Sequence, residues 1–334
     1  MTVLVTGGAG YIGSHMAISL LEANEKVVIV DDLSSGNSIS VPKEAIFHLG
    51  DIGDFETMFS LLQIYNITDI IHFAARIVVP ESVSDPLSYY NNNTSKVRNL
   101  IAAAIKYNVQ SFIFSSTAAV YGEPETVPIS ETEILNPISP YGRSKLVVEW
   151  MLEDSYRAYQ MPYAVLRYFN VAGADPYGRT GQSSKISTHL IKIAVQAAIG
   201  VRSHVKLFGN DYPTPDGTCI RDYVHVTDLA LAHLSALKYL RETKKSIIFN
   251  CGYGTGYSVN EVLSAVRDVS GYNFPIEIAA RRPGDPAKLV ASNKLITSTL
   301  GWRAQFNDLY TIIEHALAWE EKIKIMTEIV RIAS

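Results

Sequence analysis

Tyr141 and Lys145 stand four residues apart in the run PYGRSK, residues 140–145. On a helix that spacing puts both side chains on one face. An ammonium group beside a phenol stabilises phenolate, as a positively charged nicotinamide also does, and lowers the phenol's pKa. A phenolate near neutral pH can take the proton of a sugar hydroxyl while hydride leaves the same carbon. A hydroxyl for the relay is at hand. Ser115-Ser116-Thr117 closes the apolar run Phe112-Ile113-Phe114, and open α/β sheets bind ligands at the carboxyl ends of their strands. Thr117 is suited to hydrogen-bond the reacting oxygen there. Tyr-x-x-x-Lys alone is common by chance, but Pro140 before it and a hydroxyl-ended strand upstream set this one apart.

The second chemical feature is Gly7-Gly8-Ala9-Gly10-Tyr11-Ile12-Gly13. It follows an apolar run and opens a helical pattern, the context a dinucleotide-binding loop requires. Gly7 permits the tight turn, Gly10 lets the backbone approach a pyrophosphate, and Gly13 lets helix and sheet pack. Tyr11 and Ile12 begin the helix whose free N–H groups face the phosphates. Asp31 lies eighteen residues beyond Gly13, at the distance of the acid that binds the adenosine ribose. Asp32 beside it repels a 2′-phosphate, so NAD is expected rather than NADP. Asp51-Ile52 closes the third apolar run, and Asp51 reads equally as an adenine contact or as a helix N-cap.

These residues need a scaffold of parallel strands. Short apolar runs recur at Val3–Thr6, Lys26–Val30, Ala45–Leu49, Ile70–Phe73, Phe112–Phe114, Tyr163–Leu166 and Ile247–Phe249. Helical patterns separate the early ones, at Tyr11–Ala23, Asp54–Tyr65 and Thr94–Tyr107. Continuous apolar strands alternating with helices imply a doubly wound, Rossmann-like parallel sheet covered on both faces. The expected organisation is a dinucleotide-binding unit over 1–170, with a strand returning near 246–251. A smaller substrate-binding unit occupies mainly 171–334. The last stretch, Ile323 to Ala333 with apolar Ile325, Met326, Ile329 and Val330, reads as a terminal helix docked on the body.

Composition narrows the function classes. The 334 residues are 47% hydrophobic and 19% charged, which fits a folded chain rather than a disordered one. The formal net charge of −4 gives no basic footprint for nucleic acid. No apolar run reaches the ~18 residues of a membrane span, and the N-terminus reads as a strand rather than a signal peptide. Two cysteines, neither in a Cys-x-x-Cys, point to a reduced, cytoplasmic protein. No His/Cys/Asp/Glu set has metal-ligand spacing, so no metal is expected.

The motifs GGAGYIGSH, DIIHFAA, SSTAAVYGE, SPYGRSK, LRYFNVAGADP, GTCIRDYVHVTDLA and RRPGD occur in that order. Together they resemble the UDP-glucose 4-epimerases of the extended short-chain dehydrogenase/reductase group, from residue 1 to about 320. The first, third and fourth motifs mark the superfamily; RYFNVAG, RDYVHV and RRPGD are more specific, being in the sugar-nucleotide half. The resemblance makes Tyr141 the base, Lys145 the ligand of the nicotinamide ribose, and Thr117 the hydroxyl partner. Phe73, Ala74, Ala75, Asn92 and Phe169 then fall at cofactor positions. Asn170, His189, Leu190, Lys206 and Phe208 fall at nucleotide-sugar positions, with Arg221 and Arg282 as the pyrophosphate clamp and Asp285 as the ribose ligand. For Asn170 a turn role, for Phe208 a core role and for Arg221 a salt bridge to Asp222 or Asp228 stand as alternatives. His72 and His225 read as structural.

Two positions depart from the family pattern. Ile77 stands where some epimerases carry a lysine toward the cofactor phosphates, and Arg76 is the nearest replacement. Leu289 stands where other members carry Tyr, Cys or Ser beside the sugar's C2 substituent, and its intermediate size leaves N-acetyl sugars open. The resemblance implies reversible C4 epimerisation of UDP-galactose and UDP-glucose through a 4-keto sugar, with retained NAD and a homodimer built from the Thr94–Tyr107 and Ser144–Tyr159 helices. Epimerisation of UDP-N-acetylglucosamine, or of UDP-pentoses or UDP-uronates, is the alternative. A 4,6-dehydratase needs an Asp-Glu pair after the threonine, where this chain has Ala118-Ala119. A redox-sensing NAD-binding regulator would need none of Thr117, Tyr141 and Lys145.

Overall fold

The computed structural model describes residues 1–184, 187–282 and 285–333. Pro283 and Gly284 of the RRPGD motif lie outside them. β1 (Thr2–Thr6) turns through the glycines into α1 (Tyr11–Glu22), followed by β2 (Lys26–Asp31), β3 (Ile46–Leu49), α2 (Phe55–Ile64) and β4 (Asp69–His72). Two short helices, α3 (Val79–Ser84) and α4 (Pro86–Tyr90), and a wide turn at Asn91–Ser95 lead into α5 (Lys96–Tyr107). β5 (Ser111–Thr117), α6 (Pro140–Tyr159), β6 (Tyr163–Tyr168) and β7 (Asn170–Ala172) complete the first half. The second half runs α7 (Leu190–Ala198), β8 (Val205–Phe208), β9 (Ile220–His225), α8 (Val226–Thr243), β10 (Ile247–Cys251) and β11 (Gly256–Ser258). It closes with α9 (Val259–Ser270), β12 (Ile276–Ala279), β13 (Lys288–Leu289), α10 (Lys294–Leu300) and α11 (Leu309–Ala333).

The main sheet has the order β10-β6-β5-β4-β1-β2-β3, parallel throughout. Its strands are apolar on both faces because helices cover both, as expected of a doubly wound fold. Strand order reverses beside β1, which opens the ligand crevice at the strand ends there. α1, α8 and α10 pack one face around Val5, Met16, Leu229, Leu240 and Ile296. α2, α5 and α6 pack the other around Leu4, Leu62, Leu100, Phe112 and Leu152.

α8 and α10 come from the stretch assigned to the smaller unit, yet they belong to the sheet's core. The reason is topological. β10 joins β6 in parallel, and a parallel crossover must lay a covering helix on the sheet. The cap proper is β11-β9-β13 with β7 beside β9, the pair β8-β12, and helices α7, α9 and α11.

Two expectations about surfaces change. Val97, Leu100, Ile101 and Ala104 of α5 are buried in the chain's own core, so sheet packing accounts for them. Trp150 of α6 stays half exposed. At the C-terminus, Ile325, Met326 and Ile329 point into solvent, because α11 docks through its first half, around Ile312, Ile313 and Ala316. The side chain of Val330 lies outside the described residues. Among those residues no helix is long and apolar enough to cross a membrane.

Candidate active site

The sequence around residue 140 is built to start a helix at one place. Ser139 accepts a hydrogen bond from Gly142 N at 3.2 Å and Pro140 takes the first turn, where its missing N–H costs nothing. The helical period then places Tyr141, Lys145 and Glu149 on one buried face against β5. The Thr117 hydroxyl, at the end of β5, lies by the Tyr141 phenol and favours its ionised form, while burial pushes that phenol up to about 12. The expected lowering by Lys145 is absent in the chain by itself. The ammonium instead donates to Ser115 O at 2.8 Å and lies 4.8 Å over the Phe114 ring. Burial drives Lys145 down to about 7, with the Glu149 carboxylate opposing. Behind the pair, Ser115 Oγ is 2.9 Å from His233 Nε2, and His233 Nδ1 is 2.9 Å from Leu229 O. His233 also packs on Phe73, with ring centroids 4.9 Å apart.

The glycine turn fits a dinucleotide. A Cβ on Gly7 would sit 2.6 Å from Ala74 N, and one on Gly13 would sit 2.2 Å from Gly7 O. Gly10 would meet only Gly7 O, at 3.1 Å, so its outer side is open to a close-approaching group. No side chain caps α1 and its first turn holds no acid. Its free N–H groups therefore suit a pyrophosphate. Asp31 is buried at the end of β2, where its carboxylate accepts from Ala9 N at 3.0 Å and Leu33 N at 2.8 Å. Burial raises its pKa, and the two amides oppose that rise. Lone pairs remain for ribose hydroxyls. Asp32 is exposed and turns on Ser34 N at 2.9 Å.

Other cofactor positions are placed differently. Tyr11 donates its hydroxyl to Gly173 O at 2.6 Å and so ties the loop to the cap. Asp51 is exposed, holds Gly53 N at 2.8 Å and pairs with Lys96. It is not the cap of α2; Asp54 is, through Thr57 N. Ile52 is buried in the core. Asn92 donates to its neighbour Asn93, and Asn93 is the residue with a structural role. Asn93 bridges Arg76 N and O at 2.9 Å each and Ser144 Oγ at 3.2 Å. Arg76 itself turns to Ser88 and Glu81, and Ile77 is exposed. His72 is satisfied on one side only. Thr6 Oγ1 is 2.6 Å from Nδ1, while the buried Nε2 has no hydrogen-bond partner.

In the cap, Arg221 Nη2 is 3.2 Å from Asp285 Oδ1, and Arg282 lies 3.8 Å over the Phe208 ring. The alternative pairing of Arg221 with Asp222 or Asp228 does not occur. Asp222 accepts the amides of Tyr253, Gly254 and Ala291, and Asp228 those of Gln305 and Phe306. Leu289 pairs in register with Arg221 and packs against the cluster of Phe169, Ala118 and Tyr121 beside the catalytic end of β5. It therefore joins the two groups. Asn170 pairs with Tyr223 in β7-β9 and lines a small cavity with Tyr11, His189 and Leu190. His189 Nδ1 is 2.6 Å from Gln182 Nε2, and burial with Lys192 pushes its pKa down to about 4. Lys206 is exposed and faces Glu277. His225 is structural, 3.0 Å from His315 Nδ1 and 3.1 Å from Thr227 N.

Residues 3–252 match the NAD dependent epimerase/dehydratase family. A UDP-glucose 4-epimerase of Azospirillum brasilense is 50% identical over 322 residues, covering 96% of this chain and 92% of that one. The chain belongs to the NAD dependent epimerase/dehydratase family, among the UDP-glucose 4-epimerases. Its fold superposes on a UDP-glucose 4-epimerase from Stenotrophomonas maltophila, solved with bound NAD and formylated UDP-arabinopyranose, with TM-score 0.94 and 38% identity; the match covers 98% of this chain and 99% of that one. A UDP-Glc/GlcNAc 4-epimerase from Campylobacter jejuni matches with TM-score 0.84 and 44% identity, over 96% and 99% of the two chains. The family is NAD-dependent, and the Gly7–Gly13 turn with Asp31 fits that cofactor.

Proposed function

We propose that this chain interconverts UDP-galactose and UDP-glucose by epimerisation at C4, with NAD retained through the cycle. The observation that carries the reading is the contact made by Leu289. Leu289 stands in register with Arg221 and packs against the cluster of Ala118, next to Thr117, which supports a cap whose Arg221–Asp285 group faces the Thr117–Tyr141 end of β5. A nucleotide diphosphate held by arginine forks in the cap then presents its sugar to the phenol.

Tyr141, as phenolate, takes the C4 hydroxyl proton, with the Thr117 hydroxyl in the relay, and returns it when the ketone is reduced. NAD held at the Gly7–Gly13 turn and Asp31 would supply the hydride acceptor for the oxidation and the donor for the return. Lys145, whose ammonium rests on Ser115 O of the strand that ends at Thr117, would hold the nicotinamide ribose of bound NAD. Because burial alone holds the phenol near 12, the positive charges brought together in the loaded site are what make it a base near neutral pH. Firm anchoring of the UDP leaves the hexose free to turn, which the second reduction requires. We further assign the chain a cytoplasmic homodimer, with exposed Trp150 at the contact.

The test mixes purified protein with UDP-galactose, adds no NAD, and follows the anomeric protons by NMR. UDP-glucose should appear. No conversion, even after NAD is added, overturns the UDP-hexose assignment.

A further inference from the structure

Glu149 follows Lys145 on α6 by the same four residues that separate Lys145 from Tyr141. Its carboxylate is buried and held from two other elements. Arg167 of β6 brings Nη2 to 2.6 Å from Oε2 and Nε to 3.1 and 3.2 Å from the two oxygens. Ser116 of β5 donates its hydroxyl to Oε1. Ser116 sits between the two residues of β5 that touch the catalytic pair. Ser115 O receives the Lys145 ammonium, and the Thr117 hydroxyl lies by the Tyr141 phenol and favours its ionised form. Beyond Arg167 the network continues through Tyr121 OH at 3.0 Å from Nη1, and from Tyr121 OH to Asn250 Oδ1 of β10 at 2.6 Å.

We propose that Glu149 is a positioning residue for the reaction. By gripping Ser116 and Arg167 at once, its carboxylate fixes α6, which carries Tyr141 and Lys145, against the end of β5, which carries Ser115 and Thr117. The proposal rests on the functional reading of those residues given above. Stability is a poor reason for such a pair, since desolvating two charges offsets their attraction and apolar packing would hold the elements as well. Geometry is a better one. A guanidinium fork fixes the plane of a carboxylate, and a misplacement of about 1 Å in a catalytic group can cost about 10²-fold in rate.

The carboxylate has a second consequence. It is the group that opposes the loss of charge by buried Lys145. The other titratable groups of this cluster are Tyr141 on the same helix, His72 from β4, Arg167 and Tyr168 from β6, and His233 from α8. His72 and His233 are pushed down by burial and stay neutral, so neither competes with Glu149.

The deciding variant is Ser116→Ala, which removes the strand-side bond and leaves the Glu149–Arg167 pair. It should lower kcat for UDP-galactose about tenfold, with KM, NAD retention and Tm unchanged. Glu149→Gln should lower kcat about 100-fold and move the alkaline limb of the kcat profile to lower pH, because Lys145 then loses its proton earlier. Glu153→Gln, on the same helix and paired with Arg157 at the surface, should behave as the parent. If Glu149→Gln fails to fold, Ser116→Ala decides alone. A kcat within twofold of the parent in Ser116→Ala overturns the proposal. So does a loss that follows released NAD or a fallen Tm, since that marks a merely structural role. An inactive parent chain overturns the functional reading and the clamp with it.

Discussion

The end of β5 proposed to be catalytic and the face of the cap proposed to anchor the nucleotide set the same residue types in different surroundings. Arg167 and Glu149 pair with their side chains 3% exposed each. Arg221 and Asp285 pair with side chains 10% and 37% exposed. The first pair is locked among a helix and three parallel strands of the main sheet. The second joins β9 of the cap to the irregular stretch at Asp285, with one side open to solvent. Proton transfer tolerates little misplacement, so its residues stand on rigid, fully packed elements. A nucleotide anchor must give up its resting contacts to a charged ligand. The proposed one holds its arginines with partners that a diphosphate can replace. In the cap, Asp285 and Phe208 occupy the guanidinium groups of Arg221 and Arg282.

If the two regions divide the work this way, substitutions should separate kcat from KM. Tyr141→Phe should have the largest effect, a fall in kcat of about 10²–10⁴-fold with UDP binding intact. Stopped-time turnover and UDP calorimetry check it, and unchanged turnover removes Tyr141 from the role of base. Arg282→Ala should act in the opposite sense. Losing a charge-assisted contact worth about 1.5–3 kcal/mol should raise KM and weaken UDP about 10–100-fold while sparing kcat. Equal losses in kcat would dissolve the distinction between anchor and catalyst.

Leu289 stands at the junction, so Leu289→Tyr should sharpen the comparison. Filling the space beside the sugar should shift the preference between N-acetylated and plain UDP-hexoses by about 1–3 kcal/mol toward the plain sugar. A ratio that does not move shows that Leu289 is no gate.

The smallest effect on turnover concerns both regions and is read as stability. Burial pushes His15, His189 and His233 down to about 4 and His225 to about 3. Their folded pKa values lie below the unfolded value near 6.5. The unfolded chain therefore binds more protons as pH falls from 6.5 toward 4, and stability is lost across that window. Above 6.5 their contribution is fully present. Thermal melts at pH 7 and pH 5 should differ by at least about 5 °C, and a flat profile would mean that these imidazoles are solvated.

Much of the sheet half was legible in the chain. Short apolar runs and helical periods placed its seven strands and the helices from Tyr11, Asp54 and Thr94 to within a few residues. The small helices at Val79–Ser84 and Pro86–Tyr90 were not seen, since neither is long enough for a period to show. Glu149 could have been found by continuing the four-residue step from Tyr141 and Lys145. Its partner Arg167 was visible only as a letter in the LRYFN motif. Asn93 and His233 carried no local signal, because each acts on an element distant in the chain.

The sequence alone determined the glycine turn, Asp31 and the Tyr141–Lys145 face. Each follows from backbone freedom or helical period acting within a few residues. Only the tertiary structure decided that Arg221 meets Asp285 across 64 residues, that Arg282 lies over Phe208, and that α8 belongs to the sheet rather than the cap. It also decided the state of the phenol. Four residues put Lys145 on the face of Tyr141, but burial and the Ser115 carbonyl settle where the ammonium points and which proton is held. Local periodicity chooses faces. Desolvation and packing between distant segments choose partners.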